Sequence, residues 1–148
     1  MKTIRFRAWD KEDEVMIDWF WLSSEGDLYE TPVTVYDTPH LELERNDDLI
    51  VMQYTGLKDK NGVEIYEGDI IGIDVYYVDD FGETYKERNY AEIFRERSGY
   101  WDCDFKDDLD SEFLIDYVTE EEGIDYPWNV TVEGNIYENP ELLKEQSK

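Results

Sequence analysis

Between Asp102 and Asp125 the chain carries eleven acidic residues and one basic residue, Lys106. Carboxylates at such density can hold a hard cation, work in pairs as acid and base, or present a negative surface to a cationic partner. The first use needs oxygen ligands at alternating positions. Asp102, Asp104 and Asp108, or Asp108, Asp110 and Glu112, have that spacing. A calcium loop of the EF-hand kind also needs glycine at its sixth position and a bidentate glutamate at its twelfth. No glycine lies between Phe105 and Glu122, so the motif fails. Asp108, Asp110 and Glu112 are the nearest approach to a ligand set, and the expected metal and cofactor content is none. Paired carboxylates with separated pKa values can hydrolyse glycosides. Among thirty-nine acidic residues such pairs arise by chance, so no catalytic residue is assigned. The third use fits best. Asp102, Asp104, Asp107, Asp108, Asp110, Glu120, Glu121 and Glu122 form a candidate acidic interaction face. Rows of carboxylates on a rigid β scaffold can imitate the phosphates of DNA and occupy a basic cleft, drawn in by long-range attraction. The plainer alternative is a solvated face that confers solubility alone.

The whole chain follows the same bias. Its formal net charge is −25 over 148 residues. Phosphate recognition depends on clustered Lys and Arg and on counterion release, so nucleic acid and anionic membranes are disfavoured partners. A protein with a basic surface is the favoured one. Nucleic-acid binding would require Arg5, Arg7, Arg88, Arg95 and Arg97 to gather into one patch. Mutual repulsion opposes self-association, while many aromatic residues and exposed strand edges would permit a homo-oligomer.

Cys103 is the sole cysteine, which rules out an intrachain disulfide and a cysteine-based zinc site within one chain. In the alternation Trp101, Cys103, Phe105 it reads as a small core residue. His40 is the sole histidine and reads as a loop residue. No nucleophile elbow, phosphate-binding loop or dinucleotide fingerprint occurs. No apolar leader and no run of about 18 apolar residues is expected to act as a signal or span, which suits a reducing cytoplasm.

Elements that would position these groups are mostly strands. Ile4, Phe6 and Ala8 alternate with Arg5, Arg7 and Trp9, and Val15, Ile17, Trp19 and Trp21 share a face. Residues 3 to 22 therefore read as a long hairpin. Thr31 to Tyr36 is a further β-branched strand, ended before Pro39. Leu49 to Met52 reads as a buried strand entering the stretch Met52 to Asp69. That stretch holds two turns. Asn61-Gly62 reads as a type I′ hairpin, since both central residues of that turn need positive φ. Glu67-Gly68-Asp69 breaks the chain again. Ile71, Ile73, Val75 and Tyr77 line one face of the next strand, Asp79-Asp80-Phe81-Gly82 is a hairpin tip, and Glu83 to Arg97 returns. Val130, Val132 and Ile136 point in, with Thr131, Glu133 and Asn135 out. Asn139-Pro140-Glu141 opens a C-terminal helix with Asn139 as N-cap.

Three segments resemble the YopX family, small proteins found mostly in phage and prophage genomes. They are Ile4 to Asp10, the central Met52 to Ile70, and Gly134 to Leu143. Trp9, Tyr54, Gly56, Asn61, Gly62, Tyr66, Gly68, Asp69, Gly134, Asn135, Tyr137 and Pro140 carry the likeness. The resemblance implies a smaller α+β N-terminal part joined to an SH3-like barrel, in a phage setting, and brings no catalytic residues. The expected fold is mostly β (α+β): one YopX-like domain over 1–148, with an N-terminal lobe at 1–48, a β-barrel lobe at 49–138 and a helix at 139–148. The expected function is a non-enzymatic acidic protein-binding module. The alternatives are a carboxylate- or divalent-cation-dependent enzyme and a nucleic-acid-binding module. Tyr54, Tyr66 and Trp9 read as seam-packing residues, with a partner-anchoring role as the alternative.

Overall fold

A computed structural model describes residues 4–18, 20–30, 44–105 and 129–144. The protein is mostly β, with eleven strands and one short helix among those residues. It divides into two compact units, Ile4–Gln53 and the chain from Tyr54 onward.

In the first unit, β1 (Phe6–Asp10) pairs antiparallel with β2 (Val15–Ile17) and with the opening residues of β6 (Leu49–Lys58), Ala8 facing Val51. Ala8, Trp9, Leu49 and Met52 are buried here. Three short strands, β3 (Trp21–Leu22), β4 (Leu28–Glu30) and β5 (Glu44–Arg45), form a separate sheet. The long hairpin expected over residues 3 to 22 is thus two pieces. β2 ends at Ile17, and Trp21 pairs with Tyr29 instead of continuing along β1. Trp21 and Leu22 are exposed, so the expected aromatic inner face does not form there.

In the second unit, β6 continues into β7 (Glu64–Tyr66). The antiparallel sheet of β8 (Asp69–Val78), β9 (Thr84–Arg95), β10 (Trp101–Cys103) and β11 (Thr131–Asn135) runs in the order β10-β9-β8-β11. Period-two patterning builds its core. Ile71, Ile73 and Val75 of β8 are buried with Ile65, Ala91, Ile93, Cys103, Phe105 and Val130, and Tyr77, Trp101 and Val132 pack against them. Each fully buried aliphatic side chain contributes about 1.5–3 kcal/mol relative to exposure. The inward set expected for β8 and for Trp101, Cys103 and Phe105 is therefore observed.

One loop design recurs at four hairpins: Ser23–Asp27, Asp59–Val63, Asp79–Glu83 and Glu96–Tyr100. In each, the first residue's N–H donates to the fifth residue's carbonyl, and the glycine at position four donates back to the first carbonyl. Those glycines, Gly26, Gly62, Gly82 and Gly99, have φ between 82° and 92°. This is a three-residue loop closed by a left-handed glycine. Asn61-Gly62 is therefore not the expected type I′ turn. Among the described residues only Glu14 and Asn129 are non-glycine residues with positive φ, so Asn61 stays outside that region. The reason is Asp59, whose Oδ1 accepts the N–H groups of Asn61 (2.8 Å) and Val63 (2.9 Å) and stabilises the longer loop.

Two further corrections arise on β11. Its register shifts between Val132 and Gly134, and the bulge reverses the alternation beyond it. Asn135, expected to face out, is buried, and its Oδ1 accepts the N–H groups of Tyr137 and Glu138. The helix α1 spans Glu141–Lys144. The Asn139 side chain turns back toward the Asn135 N–H (3.4 Å) instead of capping α1. Gly134 makes room for it, since a Cβ there would collide with the Asn139 amide.

Candidate functional site

The polar face of the β8–β9–β11 sheet carries a dense charge cluster among the described residues of the second unit. Register places Asp74 of β8 opposite Arg88 of β9, on one face. Arg88 Nη1 donates to Asp74 Oδ1 (2.9 Å) and to the Asn129 carbonyl (3.1 Å). Its Nη2 donates to Glu133 Oε1 (2.6 Å) and to the Thr131 hydroxyl. The guanidinium reaches β11 by lying over Gly72, where a Cβ would stand 2.7 Å from Arg88 Nε. Asn129, held at φ 51°, donates to Asp74 Oδ2 (2.6 Å) and accepts from Lys60. Lys86 completes the group, 3.3 Å from Asp74 Oδ2.

Electrostatically this cluster is closed. Burial works against ionising Asp74, but hydrogen bonds from Asn129, Arg88 and Lys86 and the charge of Arg88 hold its carboxyl below the ordinary range. Glu133 is lowered in the same way: burial opposes ionisation, and Thr131 and Arg88 outweigh it. Two carboxylates face Arg88 and Lys86, Lys60 is bound to the Asn129 amide, and both terminal nitrogens of the guanidinium are engaged. The arrangement therefore fastens β8, β9 and β11 together.

Glu92, Glu67 and Tyr137 make a different kind of group. Burial, reinforced by the charge of Glu67, holds the Glu92 carboxyl above its ordinary pKa. Burial, with Glu92 and Glu67, also pushes the Tyr137 phenol up. A carboxyl whose folded pKa is raised stabilises the fold below its unfolded pKa, and that contribution is lost as pH rises through the folded value. Glu92→Gln should therefore raise the thermal midpoint at pH 7 by about 1–3 °C. The gain should vanish near pH 4, which scanning calorimetry at the two pH values will show.

The sequence-derived residues fall out as follows. Asp102 lies on β10, half-buried, with its Oδ1 accepting the Cys103 N–H (2.7 Å), and Asp104 is exposed. Asp107, Asp108, Asp110, Glu112, Glu120, Glu121 and Glu122 lie outside the described residues, as does His40. Among the described residues no group of three or more acidic, histidine or cysteine side chains could hold a metal ion. No helix among them is long and apolar enough to cross a membrane. Arg95 lies over the Trp101 ring, 5.7 Å from its centroid, and Arg88 is bound within its own cluster.

The residues quoted for the family likeness occupy packing and turn positions. Trp9 and Tyr54 are buried, and Tyr54 lies 5.4 Å from Tyr66, ring to ring. Gly56 (φ 88°) sits in the β6 bulge, where Thr55 Oγ1 donates to the Ile65 carbonyl (2.7 Å). Gly68 (φ 78°) forms the corner at which Asp69 accepts the Tyr66 N–H (2.7 Å). Pro140 precedes α1 directly. Sequence reasoning passed over Asp59. Its Oδ2 accepts the Val132 N–H (2.9 Å), which ties the loop to β11. The clue was its place one loop-length before Val63, the position Asp79 holds in its own loop.

Comparison with known proteins agrees with this scaffold. Two crystal structures resemble the chain. Protein EF1440 from Enterococcus faecalis is 26% identical, with TM-score 0.57, covering 97% of this chain and 99% of its own. Protein yopX from Bacillus subtilis is 25% identical, with TM-score 0.55 and the same two coverages. No curated protein matches the chain significantly. The family model described as YopX protein matches residues 5–144. By that match the chain belongs to the YopX family.

Proposed function

We propose that this chain is a non-enzymatic accessory protein of phage or prophage origin whose negative surface engages a protein with a basic surface, in the bacterial cytoplasm. A DNA mimic occupying the partner's basic cleft is its most specific form. In this reading the curled sheet of the second unit serves as an SH3-like barrel that displays carboxylates, and the first unit is its smaller companion lobe.

The observation that carries the reading is the net charge of −25 together with the local neutralisation of cations. Lys11 pairs with Asp48, Arg45 with Asp27 and Asp47, Lys86 with Asp74, and Arg88 with Asp74 and Glu133. Positive side chains committed in this way leave the outward field to the unpaired carboxylates, which steer a cationic macromolecule. Of the five arginines that a phosphate-binding patch would need, Arg88 is committed in this way. Glu92 favours a second reading, carboxylate chemistry, because a raised carboxyl pKa suits a general acid.

Immobilised protein, incubated with bacterial lysate at about 50 mM salt, should retain a basic protein and release it at about 500 mM, where screening shortens electrostatic reach. If nothing basic is retained at the lower concentration, the reading is wrong.

A further inference from the structure

The tip of the β8–β9 hairpin breaks the rule that the other three loops of the same design follow. The third loop position holds Glu25, Asn61 and Ser98 in those three, and Phe81 here. The turn itself therefore has no need of an aromatic. Phe81 is 92% exposed, while Phe105 of the same unit is buried in the core. Val78 and Tyr76, which share one face of β8 below the tip, are 69% and 65% exposed. The platform is held firmly. Asp79 Oδ1 accepts the N–H groups of Phe81 (2.9 Å) and Glu83 (2.8 Å), and the two backbone bonds of the loop close it.

Around the ring, charge is of one sign. Asp79, Asp80 and Glu83 flank Phe81, and none of them is in an ion pair among the described residues. The nearest cation along β9, Lys86, is bound to Asp74. An exposed aromatic on a rigid turn loses little entropy when it is buried against a partner, and such residues dominate interface energetics. A second copy of this chain would bring like charge to the same place.

We infer that Phe81 is an anchor that inserts into an apolar pocket rimmed by Lys or Arg on a different protein, with Asp79, Asp80 and Glu83 meeting the rim. This rests on the acidic-module reading above and specifies its point of contact.

The test uses the full chain with Phe81→p-benzoylphenylalanine, expressed in bacterial cells and irradiated, with Ser98→p-benzoylphenylalanine as the matched control loop. Expected is a position-81-specific adduct whose cross-linked peptide is apolar and flanked by Lys or Arg. Adducts only with a second copy of the chain, adducts with peptides lacking basic flanks, or no adduct would overturn the inference. A second variant, Phe81→Ser, carries the residue that the Glu96–Tyr100 loop has at this position, so the turn should fold unchanged. It should weaken binding to the captured basic protein about 30-fold, as a hot-spot loss does. If that protein binds Phe81→Ser as tightly as the parent, the anchor is refuted and the acidic-module reading stands. If no basic protein is retained by the parent chain, both fail.

Discussion

Asp59→Ala should cost about 3 kcal/mol of unfolding free energy, read from denaturant midpoints at constant slope. One carboxylate satisfies three backbone donors: Asn61 and Val63 within the loop, and Val132 across the unit on β11. The two loop N–H groups lie beside exposed residues and can recover water. Val132 is only partly exposed, and it loses both a partner and the tie between the loop and the strand. Desolvation of an unpaired donor costs about 1–3 kcal/mol, and the loop contributions add to it. Asp59→Asn separates the two roles. Its amide retains one oxygen for the loop but sets an NH2 against the Val132 N–H, so about half the loss should persist. Equal stability of Asp59→Ala and the parent would show that the corner does not organise the second unit.

Arg88→Ala is the second large effect, about 2 kcal/mol at pH 7, since removing one partner of a partly buried ion pair leaves the largely buried Asp74 under-compensated. Asp74 would keep Asn129 and Lys86 but lose the nearer cation, and Glu133 would lose the guanidinium it pairs with. The pH dependence carries the sign. In the parent, Asp74 and Glu133 have lowered pKa values. Their stabilisation is present above the unfolded pKa and is lost as pH falls through the folded value. In Arg88→Ala, burial still raises both carboxyls with less to oppose it. The cost of the substitution should therefore shrink as pH falls below about 4, through the folded values of the two carboxyls. Urea titrations of both proteins at a series of pH values measure this. A pH-independent difference would mean that the Arg88 side chain contributes through packing alone.

Much of this arrangement can be read in the sequence. Period-two patterning locates β8, β9 and the inward set Ile71, Ile73 and Val75, because a half-buried sheet admits one register. Once the tip is placed at Asp79–Glu83, Val78 lies opposite Thr84, and counting back sets Asp74 opposite Arg88. The salt-bridge pair was thus derivable, although its extension to Asn129 and Glu133 was not. That step depends on β11 lying beside β8 and on Gly72 leaving space, and both are long-range facts. Bulges defeated the alternation at Asn135, where one extra residue reverses every later side chain. At Asn61 the local Asn-Gly signal was real, but Asp59 selected a different loop. Trp21 misled for a simpler reason: shared periodicity does not say which strand is the neighbour, and β3 pairs with β4.

The central claim is that the excess negative charge exists to meet a basic protein. The most direct measurement is isothermal titration of the basic protein retained at low salt, at several ionic strengths, with the parent chain and with the double variant Asp102→Asn/Asp104→Asn. Binding should weaken by at least about 10-fold between 50 and 500 mM salt, with a shallower dependence for the variant. Affinity that is flat across that range and identical in the two proteins would contradict the account.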